Sequence, residues 1–160
     1  MIEVGYGDLL AADVAALVNA VNMAGVMGKG IALQFKRVFP ENYRAYRDAC
    51  ARGEVQIGRM FMFDRGNVDD RGKPTSRRHI INFPTKRHWR NPSRLEEIQA
   101  GLGAFVEVIE RYSIGSVAVP ALRCGNGGLE WAAVRPLIEQ ACTRIPEVRV
   151  VLFPLAGSAA

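Results

Sequence analysis

Short apolar runs alternate with longer amphipathic stretches along the chain, and the two patterns predict different elements. Residues 1–5 read as a short first strand, and 15–19 as a buried one. Residues 22–30, Asn-Met-Ala-Gly-Val-Met-Gly-Lys-Gly, form a glycine-rich loop. Helical spacing follows over 31–38 and stops before Pro40. A second helix is predicted over 40–52, with proline in its first turn and Gly53 beyond its end. Residues 60–64 read as a strand, and 66–76 as a polar, turn-rich excursion. A further strand over 79–83 is closed by Pro84. Pro92 and Ser93 open a helix running to about Tyr112, and Ser93 with Glu96 fits a capping box. The last third gives a strand over 116–119, a second glycine-rich loop over 120–128, a helix over 129–144 and a strand over 148–153. This order predicts the α/β class: a mixed central sheet with helices on both faces, three layers in all. The small, polar tail over 157–160 predicts a frayed end.

Composition narrows the class. A chain of 160 residues, 49% hydrophobic and 23% charged, suits one soluble globular domain and is a poor candidate for disorder. No apolar run reaches membrane-spanning length, and the first ten residues carry two acids and no basic start, unlike a secretion signal. The three cysteines are odd in number and match no zinc or redox spacing, so a reduced cytoplasmic setting is expected.

Charge is uneven. The net charge is +5, yet residues 71–95 contain eight basic side chains and no acid. The rest of the chain therefore carries −3. Such a window either attracts phosphates or is a solvated loop. Only four of the 21 basic residues are lysines: Lys29, Lys36, Lys73 and Lys86. Lysine can lose its proton when desolvated and become a nucleophile, whereas arginine stays charged.

Both glycine loops lie between a predicted strand and a predicted helix, where α/β sheets bind ligands and where backbone N–H groups can hold anions. Two such loops suggest one ligand with several polar parts, such as a diphosphate. Gly28-Lys29 is followed by Gly30, not Ser or Thr, and no glycine stands five residues before Gly28, so the first loop is not a P-loop. No Gly-x-Gly-x-x-Gly follows the first strand either. Asp8 can accept a bond from an adenine amino group or cap a turn. Asn22 can bind a ribose hydroxyl or close its own turn. Cys124, Trp131 and Phe153 read as packing residues. His79 and His88 share no recognisable ligand set, so no metal site is expected.

These residues carry a resemblance. Gly7-Asp8-Leu9-Leu10, Val18-Asn19-Ala20-Val21-Asn22 and Gly25-Val26-Met27-Gly28-Lys29-Gly30-Ile31-Ala32 resemble the opening of a macro domain. Pro120-Ala121-Leu122-Arg123-Cys124-Gly125-Asn126-Gly127-Gly128-Leu129 resembles the diphosphate loop of the same fold. The likeness covers nearly the whole chain, implying a macro domain over 1–155 and a short tail over 156–160. Phe83-Pro84-Thr85-Lys86-Arg87-His88-Trp89-Arg90 resembles the lysine segment of the terminal ADP-ribose hydrolase branch, and within it the DarG antitoxins.

The resemblance implies an ADP-ribosyl hydrolase that removes ADP-ribose from DNA bases, thymine first, as antitoxin to a DarT-type DNA ADP-ribosyltransferase. The alternatives are a hydrolase of ADP-ribosyl-glutamate or -aspartate on proteins and a non-catalytic ADP-ribose-binding module. Lys86 would be catalytic, either as an attacking amine or as an acid. Asp8 would recognise adenine and Asn22 the distal ribose. Gly28, Lys29, Gly30 and Ile31 would line the first loop, and Cys124, Gly125, Asn126, Gly127 and Gly128 would wrap the diphosphate. Leu9, Asn19, Thr85 and Leu129 complete the expected ligand contacts. Arg87, His88, Trp89 and Arg90, within the basic window around Lys86, would meet DNA. The human terminal ADP-ribose hydrolase carries an Asp in the second loop; here the run is Asn126-Gly127-Gly128-Leu129-Glu130, and Glu130 is given no role. Expected partners are ADP-ribose, ADP-ribosylated single-stranded DNA and a DarT-type toxin, met in part through a region outside this chain. The chain is thus a fragment of a longer antitoxin or a stand-alone relative. A monomer with no cofactor and no membrane contact is expected.

Overall fold

The computed structural model describes residues 1–68, 71–88, 90, 92–122 and 128–154. Among these, one sheet is built from β1 (Ile2–Val4), β2 (Ala16–Asn22), β3 (Phe61–Asp64), β4 (His79–Lys86), β5 (Ser116–Pro120) and β6 (Arg149–Phe153). The spatial order is β1-β6-β5-β2-β4-β3. Every neighbouring pair is parallel except β3 with β4, which makes the sheet mixed. Four helices accompany it: α1 (Gly30–Val38), α2 (Pro40–Ala51), α3 (Leu95–Arg111) and α4 (Trp131–Cys142).

Alternation along β2 explains the layering. Ala16, Val18 and Ala20 join a core formed with Ile98, Leu102 and Phe105 of α3 and Val134 and Ile138 of α4. Leu17 and Val21 point the other way, to Phe35 of α1 and to Tyr46 and Ala49 of α2. A strand covered on both faces needs this period-two split with both halves apolar. The expected three-layer α/β/α arrangement is the one observed. Among the described residues, no helix is long and apolar enough to cross a membrane.

Three local readings are corrected. The second strand runs three residues past 19, because Asn19 and Asn22 are polar yet buried inside it. The strand over 79–83 does not stop at Pro84 but continues to Lys86. There β4 has left the β3 ladder, whose pairing runs only from His79 to Asn82. It also carries a bulge: Val21 faces Pro84, but Asn22 faces Lys86. Thr85 is the extra residue, and its hydroxyl donates to the Val21 carbonyl at 3.2 Å. Proline is tolerated at a bulge, which this site offers.

The third correction concerns α3. It starts at Leu95 with Arg94 at its N-cap, and no side chain caps it. Glu96 therefore falls one position short of a capping-box partner, and Ser93 lies outside the helix. The Ser93 hydroxyl is buried with no hydrogen-bond partner. Glu96 and Glu97 in the first turn favour the positive end of the helix dipole instead.

Candidate functional site

The parallel strands β1, β2, β4 and β5 all release the chain at one edge of the sheet, the edge where such folds bind ligands. Asp8, Asn22, Lys86 and the start of the second loop emerge there. Helices α1, α3 and α4 begin from the same edge, and none has a side-chain cap. The first turns of α1 and α4 hold no acid, so their N–H groups and positive dipole ends suit an anionic ligand, whereas Glu96 and Glu97 already stand in the first turn of α3.

Asn22 organises the first loop. Its Oδ1 accepts from the Ala24 N–H at 2.9 Å and the Val26 N–H at 3.5 Å, and its Nδ2 donates to the Val26 carbonyl at 3.0 Å. The loop also needs backbone that only glycine adopts readily: Gly25 has φ +82° and Gly30 φ +63°. Gly28 and Lys29 are exposed, and Ile31 is half-buried at the start of α1. The Met23 N–H donates to the Arg87 carbonyl at 3.3 Å, which stitches this loop to the segment after β4. Lys86 is half-buried beside Asn22, re-aimed by the Thr85 bulge.

Asp8 is the exposed N-cap of a single 3-10 turn, Leu9–Ala11, and its Oδ1 accepts from the Leu10 N–H at 3.0 Å. The capping role weighed for it is the one observed. Four predicted contacts, Leu9, Asn19, Asn22 and Thr85, are withdrawn from the surface, and of the two roles weighed for Asn22 the closing of its own turn is the one observed. Leu9 packs into the core with Phe35 and Val151. Asn19 is fully buried, and its Nδ2 donates to Asn82 Oδ1 at 3.2 Å. Thr85 is likewise buried by its bond to Val21.

At the second loop, Leu122 is buried with φ +44°, a strained conformation for a branched side chain held by its packing. Gly128 is exposed, Leu129 packs on the core, and Glu130 is the exposed N-cap of α4. Cys124, Gly125, Asn126 and Gly127 lie outside the described residues, as do Trp89 and the predicted tail over 156–160. Trp131 is core, as expected, and Phe153 is half-buried with its ring against Gly5.

The basic window does not surround Lys86 as a unit. Arg71, Lys73, Arg77 and Arg78 precede β4, whereas Arg87, Arg90 and Arg94 follow it. The eight-residue strand puts the nearest members of the two groups, Arg78 and Arg87, roughly 30 Å apart along the chain. Arg78 pairs with Asp64 at 3.0 Å, and Arg77 donates to the Leu10 carbonyl at 2.6 Å. At the site end, Arg87 lies 3.7 Å from Glu97. His88 Nδ1 accepts from the Arg90 N–H at 3.2 Å, so this nitrogen closes a turn.

Sequence reasoning missed the polar layer behind the loop. Tyr46, Asn42 and Asn82 are fully buried beside Asn19 and Asn22. The available signal was Asn42 and Tyr46 at i, i+4 in a helix that is otherwise charged on its open side. Behind the loop, burial also pushes the Cys50 thiol up from its ordinary pKa.

Residues 18–138 match the family model for the macro domain. The chain belongs to the macro domain family. This macro domain is 54% identical over 157 residues to the DNA ADP-ribosyl glycohydrolase of Mycobacterium tuberculosis, covering 98% of its own length and 43% of that relative. It thus spans less than half of the curated relative it matches. It superposes on the solved macrodomain of Mycobacterium tuberculosis DarG with a TM-score of 0.90 and 54% identity, covering 98% and 99% of the two chains. The macro domain also matches Thermosipho africanus DarTG, solved in complex with ADP-ribose, at TM-score 0.86 and 36% identity, over 96% of this chain and 42% of that one.

Proposed function

We propose that this macro domain hydrolyses the bond between ADP-ribose and a DNA base, thymine first, as the antitoxin to a DarT-type toxin. The observation that carries the reading is the pairing of Lys86 with Asn22 across the β2–β4 bulge, at the edge where both glycine loops emerge. The kinship with a DNA ADP-ribosyl glycohydrolase over nearly the whole chain supports it. An ADP-ribose complex of a relative supports the ligand.

The bond to break joins ribose C1″ to a base nitrogen. Its cleavage builds positive charge on the ribose and negative charge on the base; water supplies the new C1″–O bond and a proton for the base nitrogen. Asp8 would face adenine, and Asn22, itself buried and bonded to its own loop, would shape the loop that meets the distal ribose. Gly28, Lys29, Gly30 and Ile31 of the first loop, with Cys124 to Gly128 of the second, would hold the diphosphate and its ribose. Lys86 serves the reacting end, as an amine that attacks the sugar or as an ammonium that protonates the leaving base. A pH–rate profile separates these roles: activity that rises with pH through a lysine titration marks the amine, and activity that falls marks the acid.

The test is release of ADP-ribose from a single-stranded oligonucleotide modified on thymine, run beside an ADP-ribosyl-glutamate protein. Wild type should release from DNA. Lys86→Ala should bind ADP-ribose with wild-type affinity and lose turnover. Release from the protein alone would move the activity to the carboxylate class. Binding without release from either substrate would leave a reader module and end the hydrolase reading.

A further inference from the structure

Helix α2 contributes nothing to the chemistry just described, yet its inner face is built into the site. Tyr46 is completely buried, and its hydroxyl oxygen lies 2.7 Å from the Asn22 carbonyl oxygen and 2.8 Å from Asn22 Oδ1. The hydroxyl donates to this pair of acceptors. A phenylalanine would fill the same space without burying a polar group, so the packing does not call for the hydroxyl. The bonds to Asn22 do. One turn further along α2, Cys50 packs with Tyr46 behind the loop. A side chain at Gly25 would meet Cys50 Cβ at 3.6 Å and Arg47 at 3.7 Å, so the loop rests directly on the helix.

One turn earlier, Asn42 locks the helix to the sheet. Asn42 and Asn82 exchange amide bonds of 3.2 and 2.8 Å, and Asn82 also donates to the Phe61 carbonyl at 3.1 Å. Asn19 adds its own bond to Asn82 Oδ1. Asn42 is thus held to β4, and through Asn82 to β2, while Tyr46 is held to the end of β2. These are the strands that present Lys86 and Asn22.

We propose that Tyr46 is a positioning residue of the ligand site: its hydroxyl fixes Asn22, and with it the first glycine loop, against the Lys86 end of β4. The ligand half of this proposal rests on the ADP-ribose reading above; the loop half does not.

The test is Tyr46→Phe, which keeps the ring. Hydrogen exchange at the Ala24 and Val26 amides, both bonded to Asn22 Oδ1, should speed up about tenfold, while exchange in α3 and α4 stays unchanged. ADP-ribose affinity by calorimetry should weaken about tenfold. If Tyr46 acts through Asn22, the double variant with Asn22→Ala should bind no more weakly than Asn22→Ala alone. Uniformly faster exchange across the whole fold would mark Tyr46 as merely structural and overturn the proposal. So would unchanged loop exchange, or additive losses in the double variant. Should wild type bind no ADP-ribose, the functional reading fails, and the exchange comparison still decides the role of Tyr46.

Discussion

Two asparagines three residues apart on β2 have different work because their surroundings differ. Asn19 faces Asn82 under α2, whereas Asn22 closes the first loop beside Lys86. Burial decides reactivity in the same way for the thiols. Cys142, the last residue of α4, sits in the core, and burial pushes its pKa up to about 11. The folded state therefore favours the neutral thiol. This contribution to stability is complete below the unfolded thiol pKa near 9 and is lost as pH rises through 11. Because the thiolate is the reactive form, burial and the raised pKa together make Cys142 a poor nucleophile at pH 8. Iodoacetamide at that pH should leave Cys142 unmodified in native protein and alkylate it once denaturant is added, read by peptide mass spectrometry. Between pH 9 and 11, the melting temperature of wild type should fall more than that of Cys142→Ala. Rapid native labelling of Cys142 would show that its pocket opens.

At the scale of elements, Phe83 shows how the fold holds the segment that ends in Lys86. Its ring lies where a side chain on Gly101 of α3 would stand, with the ideal Cβ position only 2.5 Å from the ring edge. Phe83 is buried and packs against Phe105 with ring centroids 6.4 Å apart, so it has nowhere to retreat. Gly103, two residues along the same helix, has no neighbour within 4 Å of that position. Alanine gains about 1 kcal/mol over glycine inside a helix. Gly103→Ala should therefore stabilise the protein by about that amount in urea unfolding. Gly101→Ala should destabilise it by ~1–3 kcal/mol, because overpacking outweighs the propensity gain. Equal effects of the two substitutions would refute the contact.

The pair also shows what was legible beforehand. The order of strands and helices could be read from apolar periodicity, and the two loops from their glycines, because both are local signals. The bulge at Thr85 could not, since it depends on register with β2, and Pro84 alone reads as a stop. The failed capping box at Ser93 has a similar cause: one residue of shift in the helix start moves Glu96 off its partner position. Tyr46 and Asn42 read as ordinary helix residues, because their bonds reach β2 and β4, segments far away in sequence.

Over the whole molecule, the strand β4 divides the basic window into two poles. Their separation of roughly 30 Å exceeds the Debye length of about 8–10 Å at moderate salt, so the poles act independently on a polyanion. The pole before β4 is engaged in holding the 66–78 excursion to the body, through Arg78 to Asp64, Arg77 to Leu10 and Ser76 to Asp13. The pole after β4 stands at the ligand edge. If DNA lies along that edge, the phosphates it contacts are set by Arg87, Arg90 and Arg94, the basic residues that follow β4. Each phosphate contact contributes about −0.7 to the slope of log affinity against log salt for a single strand. The measurement uses Lys86→Ala throughout, so that a modified oligonucleotide binds without turnover, with anisotropy followed across a salt series. Adding Arg90→Ala or Arg94→Ala should flatten the slope by about that step each, whereas Lys73→Ala should leave it unchanged. A slope that responds to Lys73 and ignores Arg90 and Arg94 would place the DNA on the opposite edge, away from Lys86, and the proposed chemistry could not then reach its base.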